Sequence, residues 1–365
     1  MKTLPPSSII GILGGGQLGR MTALAAAKLG YRCHIFCSDA QEPAVEVSAF
    51  HTHASFDDTR ALKAFAKSVD VVTLEWENVP IAALETISLL VPTYPAPKIL
   101  KVAQDRGEEK NFARSIGLGT ADFALVSSAA ELQEARGRFG CPAILKSTRM
   151  GYDGKGQVAL TPELSSEESW RLMGSGAGIL ESFVNFASEV SVVVAARADG
   201  TMAVFPAVQN IHRNHILAET HAPAGVSASI AHEAEQAARL MAEKLGVVGL
   251  LAVEFFVLRA PDALGRQVWV NEIAPRPHNS GHWTMDACPT SQFEQLVRAV
   301  CGLPLGAVTP HSRAVMQNLI GDDFHAWPDL LAQSSACLHV YGKTEVRPGR
   351  KMGHVTFLKG AWEGG

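Results

Sequence analysis

The N-terminal segment constrains the fold more than any other part of the sequence. Residues 8–13 form an apolar, β-branched run, residues 14–16 are three glycines, and residues 18–29 repeat apolar side chains with helical spacing. A second apolar run follows at 31–36. A strand, a glycine turn, a helix and a second strand in this order predict a βαβ unit, in which the two strands are parallel.

The same alternation continues along the chain. Residues 57–67 have a helical pattern, and residues 69–74 are a buried strand. Repeated alternation of strands and helices predicts a parallel sheet with helices on its faces. Three prolines between residues 92 and 97 then interrupt the pattern, so we place the first domain boundary near residue 100.

The rest of the chain has a different pattern, because several of its apolar segments alternate as antiparallel strands do. From residue 301 onward we expect short strands with Gly and Pro between them. The predicted helices span 105–116 and 231–245. The predicted strands span 143–146, 179–184, 189–196, 250–258, 267–273, 336–341 and 353–357.

Composition excludes several classes of function. Lys and Arg number 32 against 36 Asp and Glu, a net charge of −4, which gives no electrostatic basis for general binding to nucleic acid or to a membrane surface. Six cysteines without a CxxC pair indicate reduced thiols rather than a disulfide framework. No apolar run is long enough to span a bilayer and no signal peptide is evident, so we expect a cytoplasmic protein.

Two features of the first 100 residues are candidate ligand sites. Residues 14–19 have the GxGxxG spacing of dinucleotide-binding turns, and Asp39 lies where an acid would bind a ribose. A tight turn without a ligand has the same spacing. Glu75 and Glu77 follow a predicted strand, and acids at the carboxyl end of a strand can bind an amine or a hydroxyl. A solvated loop is the alternative for these acids.

Lys146 and the glycine loop at 151–156 are typical of a site for the phosphates of ATP. Lysine supplies positive charge, and a glycine loop supplies backbone donors and can close over a ligand. The Walker A pattern and the kinase motifs are absent from the sequence. A surface hairpin tip is the alternative for this loop.

Two acids interrupt apolar strands. Glu254 and Glu272 lie in predicted strands, and Asn271 precedes the second acid. A buried carboxylate is costly unless it is paired or binds a cation, and carboxylate and amide oxygens are the ligands that Mg²⁺ prefers. The sequence therefore predicts a magnesium site at these three residues, with Glu–Arg ion pairs as the alternative.

The segment at 275–284 is rich in polar groups and predicts an active-site loop with Arg276 near a transferring phosphate. His278 and His282 lie four residues apart, but Pro277 and Gly281 disfavour a helix between them. No third ligand has suitable spacing, so we reject metal ligation by these two histidines.

Basic residues cluster near the C-terminus, at 343–354. In a chain of net negative charge, such a cluster is a candidate site for a small anionic group. A solvated face is the alternative.

Five motifs occur in a fixed order along the chain. They are GGGQLGR at 14–20, QDR at 104–106, Lys146 with GYDGKGQ at 151–157, NEIAPRPHNSGHWT at 271–284 and EVRPGRKMGH at 345–354. In these motifs, and nearly from end to end, the sequence closely resembles the 5-(carboxyamino)imidazole ribonucleotide synthetases, the ATP-grasp carboxylases of purine biosynthesis.

The resemblance implies an α/β fold with three domains. Residues 1–100 would form a Rossmann-like preATP-grasp domain, residues 101–300 a two-lobed ATP-grasp domain, and residues 301–365 a small C-terminal β-rich domain. The implied reaction joins ATP, bicarbonate and 5-aminoimidazole ribonucleotide with Mg²⁺ as cofactor, and the implied assembly is a homodimer.

The resemblance also implies roles for individual residues. Arg276 and Lys146 would be catalytic, and Glu254 and Glu272 would bind Mg²⁺. The implied ATP site comprises Arg106, Lys146, Gly151, Tyr152, Asp153, Gly154, Lys155, Gly156, Gln157, Glu181, Ser182, Phe183, Val184, Glu189, His212, Asn271 and Glu272. The implied ribonucleotide site comprises Gly16, Gln17, Leu18, Glu75, Tyr152, Lys343, Arg350 and Lys351.

Other functions remain open from the sequence. Another ATP-grasp ligase would join an amine to a carboxylate without bicarbonate. An NAD-dependent oxidoreductase would use the turn at 14–19 and Asp39, but it leaves the second half of the chain without a role. A nucleotide sensor without catalysis is disfavoured because both candidate Mg²⁺ ligands are present.

Overall fold

The computed structural model describes residues 2–151, 156–174 and 176–362. Its helices are α1 Gln17–Lys28, α2 Thr59–Ala66, α3 Ile81–Ser88, α4 Pro97–Ala103, α5 Arg106–Ser115, α6 Ala129–Phe139, α7 Ser166–Met173, α8 Ala228–Leu245, α9 Thr284–Ala287, α10 Gln292–Val300 and α11 Trp327–Leu331. Its strands are β1 Ile9–Leu13, β2 Arg32–Cys37, β3 Phe50–His53, β4 Val71–Leu74, β5 Gly119–Thr120, β6 Phe123–Val126, β7 Ala143–Ser147, β8 Gln157–Leu160, β9 Gly178–Ser182, β10 Phe186–Ala196, β11 Met202–Val204, β12 Val208–Arg213, β13 Ile216–Ala222, β14 Gly249–Leu258, β15 Val268–Ala274, β16 Ser312–Ile320, β17 Ala336–Val340 and β18 Lys351–Ala361.

The N-terminal sheet is parallel, with strand order β3-β2-β1-β4, and confirms the predicted βαβ opening. Ile10, Ile12 and Ile35 are fully buried in its core, which explains the apolar runs in the sequence. Because β1 and β4 are neighbours and parallel, the glycine turn after β1 and Glu75 after β4 emerge at the same edge of the sheet. This edge is where ligands bind in open α/β sheets.

A second sheet, with order β6-β9-β7-β8, is antiparallel throughout. Helices α6 and α7 pack against it, and Leu132, Leu145 and Leu180 lie fully buried between them. The predicted strand at 179–184 ends earlier, at Ser182. The sheet forms a lobe with its own small core, and its β7 carries Lys146.

The large sheet has the order β17-β18-β16-β13-β12-β10-β14-β15-β5, with β11 paired to β10. Helix α8 packs on β10 and β14, and α10 also contacts both strands, so the central strands are buried. Glu254 in β14 is the register partner of Glu272 in β15, with a bulge directly after Glu254.

The prediction of only short strands after residue 301 is wrong. Strands β16 and β18 span nine and eleven residues and pair along most of their length. Through β13, β16 joins the large sheet, so the C-terminal strands extend that sheet. The sequence prediction missed β16, in which Arg313 and Gln317 interrupt the apolar pattern.

Asp105 caps the N-terminus of helix α5, because its carboxylate accepts hydrogen bonds from the backbone N–H groups of Gly107 and Glu108. This cap fixes the start of the helix and places Arg106 in its first turn, beside the large sheet. Within the described ranges, none of the helices combines the length and apolar character needed to cross a bilayer.

Two glycines provide a matched test of this packing. At Gly11 in β1, a β-carbon would approach Cζ of Phe65 to 2.7 Å, so Gly11→Ala overpacks the core and should cost about 1–3 kcal/mol. Gly137 in α6 has no such neighbour, so Gly137→Ala should add about 0.5–1 kcal/mol through helix propensity. Thermal melting should show shifts of opposite sign. Equal shifts would contradict this account of β1.

Candidate active site

Two cavities meet at the centre of the molecule. The first cavity, of about 330 Å³, lies at the carboxyl edge of the N-terminal sheet. The second, of about 610 Å³, lies between the lobe with Lys146 and the large sheet. Arg106 and Glu272 line both cavities, so two ligands bound side by side would meet at these two residues.

A pair of acids lines the second cavity, and one of them, Glu272, also lines the first. Glu254 and Glu272 face each other across β14 and β15, and burial together with the charge of Glu272 raises the pKa of Glu254 to about 8. Withdrawal from water also raises the pKa of Glu272, but Arg106, whose Nη1 is 3.0 Å from Oε2, lowers it below the ordinary value. The side-chain oxygen of Asn271 is buried without a hydrogen-bond partner in the described structure.

These three residues fit a divalent cation. Two carboxylates on neighbouring strands repel each other unless positive charge lies between them, and the unpartnered Oδ1 of Asn271 is a third hard donor. The alternative of a Glu–Arg ion pair is also present, since Arg106 binds Glu272. The imidazole of His278 lies 3.2 Å from Glu254, while burial and then Arg276 lower the pKa of His278 to about 3.

A buried cluster of charges lies beside the second cavity, and two of its members, Lys146 and Glu181, line that cavity. Nζ of Lys146 donates to Oε2 of Glu181 at 2.8 Å, and Nζ of Lys110 lies 3.4 Å from Oε1 of the same carboxylate. Burial alone would raise the pKa of Glu181, but the two ammonium groups lower it to about 2. Burial lowers the pKa of Lys146. The carboxylate therefore holds both lysines in place.

Sequence analysis missed Lys110. Its ammonium also donates to the backbone oxygen of Asn271 at 3.2 Å, so it connects the lobe with Lys146 to the strand with the candidate metal ligands. The signal was present, since Arg106 and Lys110 are four residues apart on α5 and share a helix face. Glu109 was also missed, and burial raises its pKa to about 8.

Several residues of the implied ATP site line the second cavity. Nδ1 of His212 lies 2.8 Å from Glu189. Burial lowers the pKa of this imidazole, but the hydrogen bond and the charge of Glu189 raise it above its ordinary value. The other predicted residues that line this cavity are Gly156, Gln157, Ser182, Phe183 and Val184. Gly151 lines the first cavity. Tyr152, Asp153, Gly154 and Lys155 lie outside the described residues.

The guanidinium of Arg276 projects into the first cavity and makes a two-point ion pair with Glu77. Burial would raise the pKa of Glu77, but Arg276 lowers it below the ordinary value. Glu77 is thus the partner of a buried cation and not part of a solvated loop. The pair fixes the orientation of Arg276, because a bidentate contact allows one geometry.

The glycine turn is already occupied by the chain's own acids. The backbone N–H of Gly15 donates to Glu42 at 2.9 Å, while those of Gly16 and Gly19 donate to Glu75 at 2.7 and 3.0 Å. Burial and the neighbouring Glu75 raise the pKa of Glu42 to about 7. These amides would otherwise receive a pyrophosphate, so the arrangement disfavours a dinucleotide.

Asp39, the other part of the dinucleotide hypothesis, is exposed, and its carboxylate accepts from the backbone of Gln41. Gln17, Leu18 and Glu75 line the first cavity. Gly16 contacts this site through its bond to Glu75. The turn therefore contributes to the wall of the first cavity.

The predicted basic residues at the C-terminus divide into two groups. Lys351 lines the first cavity, whereas Nζ of Lys343 donates to the Lys351 backbone oxygen at 2.7 Å. Arg350 donates to the backbone oxygen of Glu345 at 2.9 Å and does not line either cavity. The structure thus brings Lys351 to the site directly, with Lys343 and Arg350 beside it in the chain's fold.

Three family models match consecutive parts of the chain. The ribonucleotide synthetase preATP-grasp domain matches residues 7–104, the ATP-grasp domain matches 111–293, and the phosphoribosylaminoimidazole carboxylase C-terminal domain matches 314–363. The fold is accordingly the ATP-grasp fold with a preATP-grasp domain before it.

Curated relatives and solved structures agree with these matches. The N5-carboxyaminoimidazole ribonucleotide synthase of Brucella melitensis is 45% identical over 98% of both chains. The bifunctional purine synthesis protein purC/E of Dictyostelium discoideum is 46% identical over 97% of this chain, which spans 37% of that protein.

Among solved structures, an ADP complex of N5-carboxyaminoimidazole ribonucleotide synthetase has a TM-score of 0.93 and 40% identity, covering 98% of this chain and 94% of that one. The Aspergillus clavatus synthase with ADP and 5-aminoimidazole ribonucleotide has a TM-score of 0.88 and 30% identity, covering 97% and 94%. The chain therefore belongs to the N5-carboxyaminoimidazole ribonucleotide synthase family of ATP-grasp enzymes.

Proposed function

We propose that the protein uses ATP and bicarbonate to carboxylate the exocyclic amine of 5-aminoimidazole ribonucleotide. The products are 5-(carboxyamino)imidazole ribonucleotide, ADP and phosphate. One observation carries the proposal: two cavities share Arg106 and Glu272, which suits a nucleotide on one side and its acceptor on the other. The relatives named for this reaction, one of them bound to ADP and the ribonucleotide, support it.

ATP occupies the second cavity in this proposal. The chain at 182–184 presents its backbone to adenine, while Glu189 and His212 hold the ribose. Lys146 and Arg106 receive the phosphates, and both are already oriented by carboxylates. Gly156 and Gln157, which line this cavity, contact the nucleotide.

Glu254, Glu272 and Asn271 would hold Mg²⁺ at the phosphate end of this cavity. The bound ion supplies charge neutralisation for the phosphate oxygens. The support is the facing pair of acids, the raised pKa of Glu254 and the buried unpartnered oxygen of Asn271.

The ribonucleotide occupies the first cavity. Its base and ribose lie against Gln17, Leu18 and Glu75, and Gly16 donates its backbone N–H to Glu75. Lys351 receives the 5′-phosphate. Lys343 and Arg350 support the turn next to Lys351, because Lys343 donates to the backbone oxygen of Lys351 and Arg350 donates to that of Glu345. A cationic group that faces a phosphate makes a charge-assisted contact.

Bicarbonate binds where the two cavities meet, close to Arg276. An oxygen of bicarbonate attacks the γ-phosphorus, the bond to ADP breaks, and carboxyphosphate forms. The ribonucleotide amine then takes the carboxyl group, directly or through released CO₂, and inorganic phosphate leaves. Arg276 and Lys146 stabilise the developing negative charge, and fixed positive groups are most effective where water is excluded.

The organisation that we propose has three parts. Residues 1–100 form the preATP-grasp domain, 101–300 the two-lobed ATP-grasp domain and 301–365 the C-terminal domain. The bounds of the three family matches, at 7–104, 111–293 and 314–363, support this division. We further propose that the enzyme is a cytoplasmic homodimer whose partners are its small-molecule substrates.

The substrate dependence of ADP release tests the proposed reaction. ADP release should require Mg²⁺ and rise sharply when 5-aminoimidazole ribonucleotide is added, because both ligands are needed to fill the adjoining cavities. Coupled formation of the carboxylated ribonucleotide, followed by chromatography, should fall in buffer depleted of bicarbonate. Unchanged product formation in depleted buffer would instead indicate an ATP-grasp ligase with another acceptor.

Substitution of the paired acids tests the metal site. Glu254→Gln and Glu272→Gln each remove an anionic ligand, so turnover should fall by about 100-fold or more, since charge stabilisation of several kcal/mol is lost. The matched control is Glu243→Gln, which changes an exposed ion pair on α8. Circular dichroism should show native folds for all three. Near-normal rates at low Mg²⁺ for both active-site variants would rule out the metal assignment.

Substitution of the C-terminal cations tests the ribonucleotide site. Lys351→Ala and Arg350→Ala should raise KM for the ribonucleotide about tenfold to hundredfold, since a charge-assisted contact contributes about 1.5–3 kcal/mol. KM for ATP should stay the same. Arg347→Ala, which changes an exposed ion pair with Glu345 in the same turn, is the control. An equal rise in both KM values would remove this turn from the substrate site.

A further inference from the structure

A group of potential metal ligands lies outside both cavities. Asp286 comes from α9, His339 from β17 and His354 from β18, and one ligand atom of each lies within 4.8 Å of the others. None of the three lines either cavity of the candidate active site. The cluster joins the C-terminal strands to the helix that follows the segment with Arg276.

The sheet itself brings the two histidines together. His339 and His354 are register partners in the antiparallel pair of β17 and β18, so their side chains lie on the same face. Their rings stack with centroids 4.6 Å apart. Nε2 of His339 lies 3.0 and 2.9 Å from the two carboxylate oxygens of Asp286.

His354 has a nitrogen that the described structure leaves without a partner. Its side chain is fully buried. Nδ1 lies 2.9 Å from the hydroxyl of Tyr341, whereas Nε2 is buried and makes no hydrogen bond. A buried nitrogen without a partner is costly, and an ion that binds its lone pair would remove that cost. If Tyr341 accepts the proton of Nδ1, the lone pair is on Nε2.

This pattern matches a coordinating histidine. Histidines that bind a metal through one nitrogen nearly always have the other nitrogen hydrogen-bonded to a fixed group, as Tyr341 provides here. A fourth donor is near, because the thiol of Cys337 interacts with the carboxylate of Asp286, which raises the pKa of the thiol together with the larger effect of burial. Cys337 and His339 are two residues apart on β17 and therefore share a face.

We propose that Asp286, His339 and His354 form a structural site for Zn²⁺, with Cys337 available as a fourth ligand. Two imidazoles, a carboxylate and a thiol are the donors that zinc prefers, whereas Mg²⁺ prefers oxygen alone. The side chains of His339 and Asp286 are 25% and 12% exposed, so an ion can reach them from solvent. Zn²⁺ would take the place of the hydrogen bond between Nε2 of His339 and the carboxylate of Asp286.

The site would stabilise one wall of the first cavity. The ring of His282, which lines that cavity, packs against the ring of His354, with centroids 4.8 Å apart and the ring planes tilted by 35°. Lys351 begins the strand that carries His354. An ion held between α9, β17 and β18 therefore fixes the strand that presents Lys351 to the ribonucleotide, without touching either substrate.

The test is metal binding by the full-length protein. The chelator-treated protein is titrated with Zn²⁺ by calorimetry in excess Mg²⁺, which saturates the oxygen site at Glu254 and Glu272. Co²⁺ then replaces Zn²⁺, because its absorption spectrum reports nitrogen and sulfur ligands. We expect one Zn²⁺ per chain, an intense Co²⁺ spectrum and a rise in Tm with Zn²⁺.

Single substitutions test which residues bind Zn²⁺. His339→Asn and Asp286→Asn should weaken Zn²⁺ binding by at least tenfold, and Tyr341→Phe by about 10- to 100-fold through the lost partner of His354. His325→Asn, which changes an exposed histidine near Asp322, should bind Zn²⁺ as the unaltered protein does. If a variant fails to fold, as judged by circular dichroism, the spectrum of the unaltered protein still decides. Absence of Zn²⁺ binding, or equal binding by all variants, would overturn the proposal.

Discussion

The facing pair of acids on β14 and β15 is the constraint on which the rest of the site depends. Glu254 and Glu272 are register partners that line the second cavity, and Glu272 also lines the first. Such a pair is stable only with positive charge nearby. Arg106 supplies part of it from α5. Arg106 does not neutralise the negative charge of both carboxylates, and the pKa of Glu254 is therefore raised. The remaining negative charge suits a divalent cation and the phosphates that it would accompany.

The cations of the site are held ready by carboxylates of the protein. Glu181 holds Lys146 and Lys110, and Glu77 holds Arg276 by two points. Side chains fixed before the substrate arrives need no reorganisation during the reaction, which is how electrostatic catalysis gains its strength. The same logic explains the glycine turn, where internal acids occupy the amides and leave the first cavity to a ligand other than a dinucleotide.

Much of this arrangement follows from the sequence, because acids inside apolar strands and a glycine-rich turn after a strand have few physical explanations. Other parts depend on contacts between residues far apart in sequence. The pairing of Glu77 with Arg276, and of Glu42 with the glycine turn, has no local pattern. Strand β16 was missed because sheet neighbours, rather than its own alternation, determine its burial.

The most direct test of the account follows the oxygen atoms of bicarbonate. If bicarbonate attacks the γ-phosphorus of ATP where the two cavities meet, one of its oxygens must end in the inorganic phosphate that is released. The enzyme is supplied with oxygen-18-labelled bicarbonate, ATP and 5-aminoimidazole ribonucleotide. The reaction is stopped before the bicarbonate exchanges its oxygens with water, and the phosphate is then analysed by phosphorus NMR. We expect one labelled oxygen in each phosphate. Unlabelled phosphate formed together with carboxylated product would contradict the account.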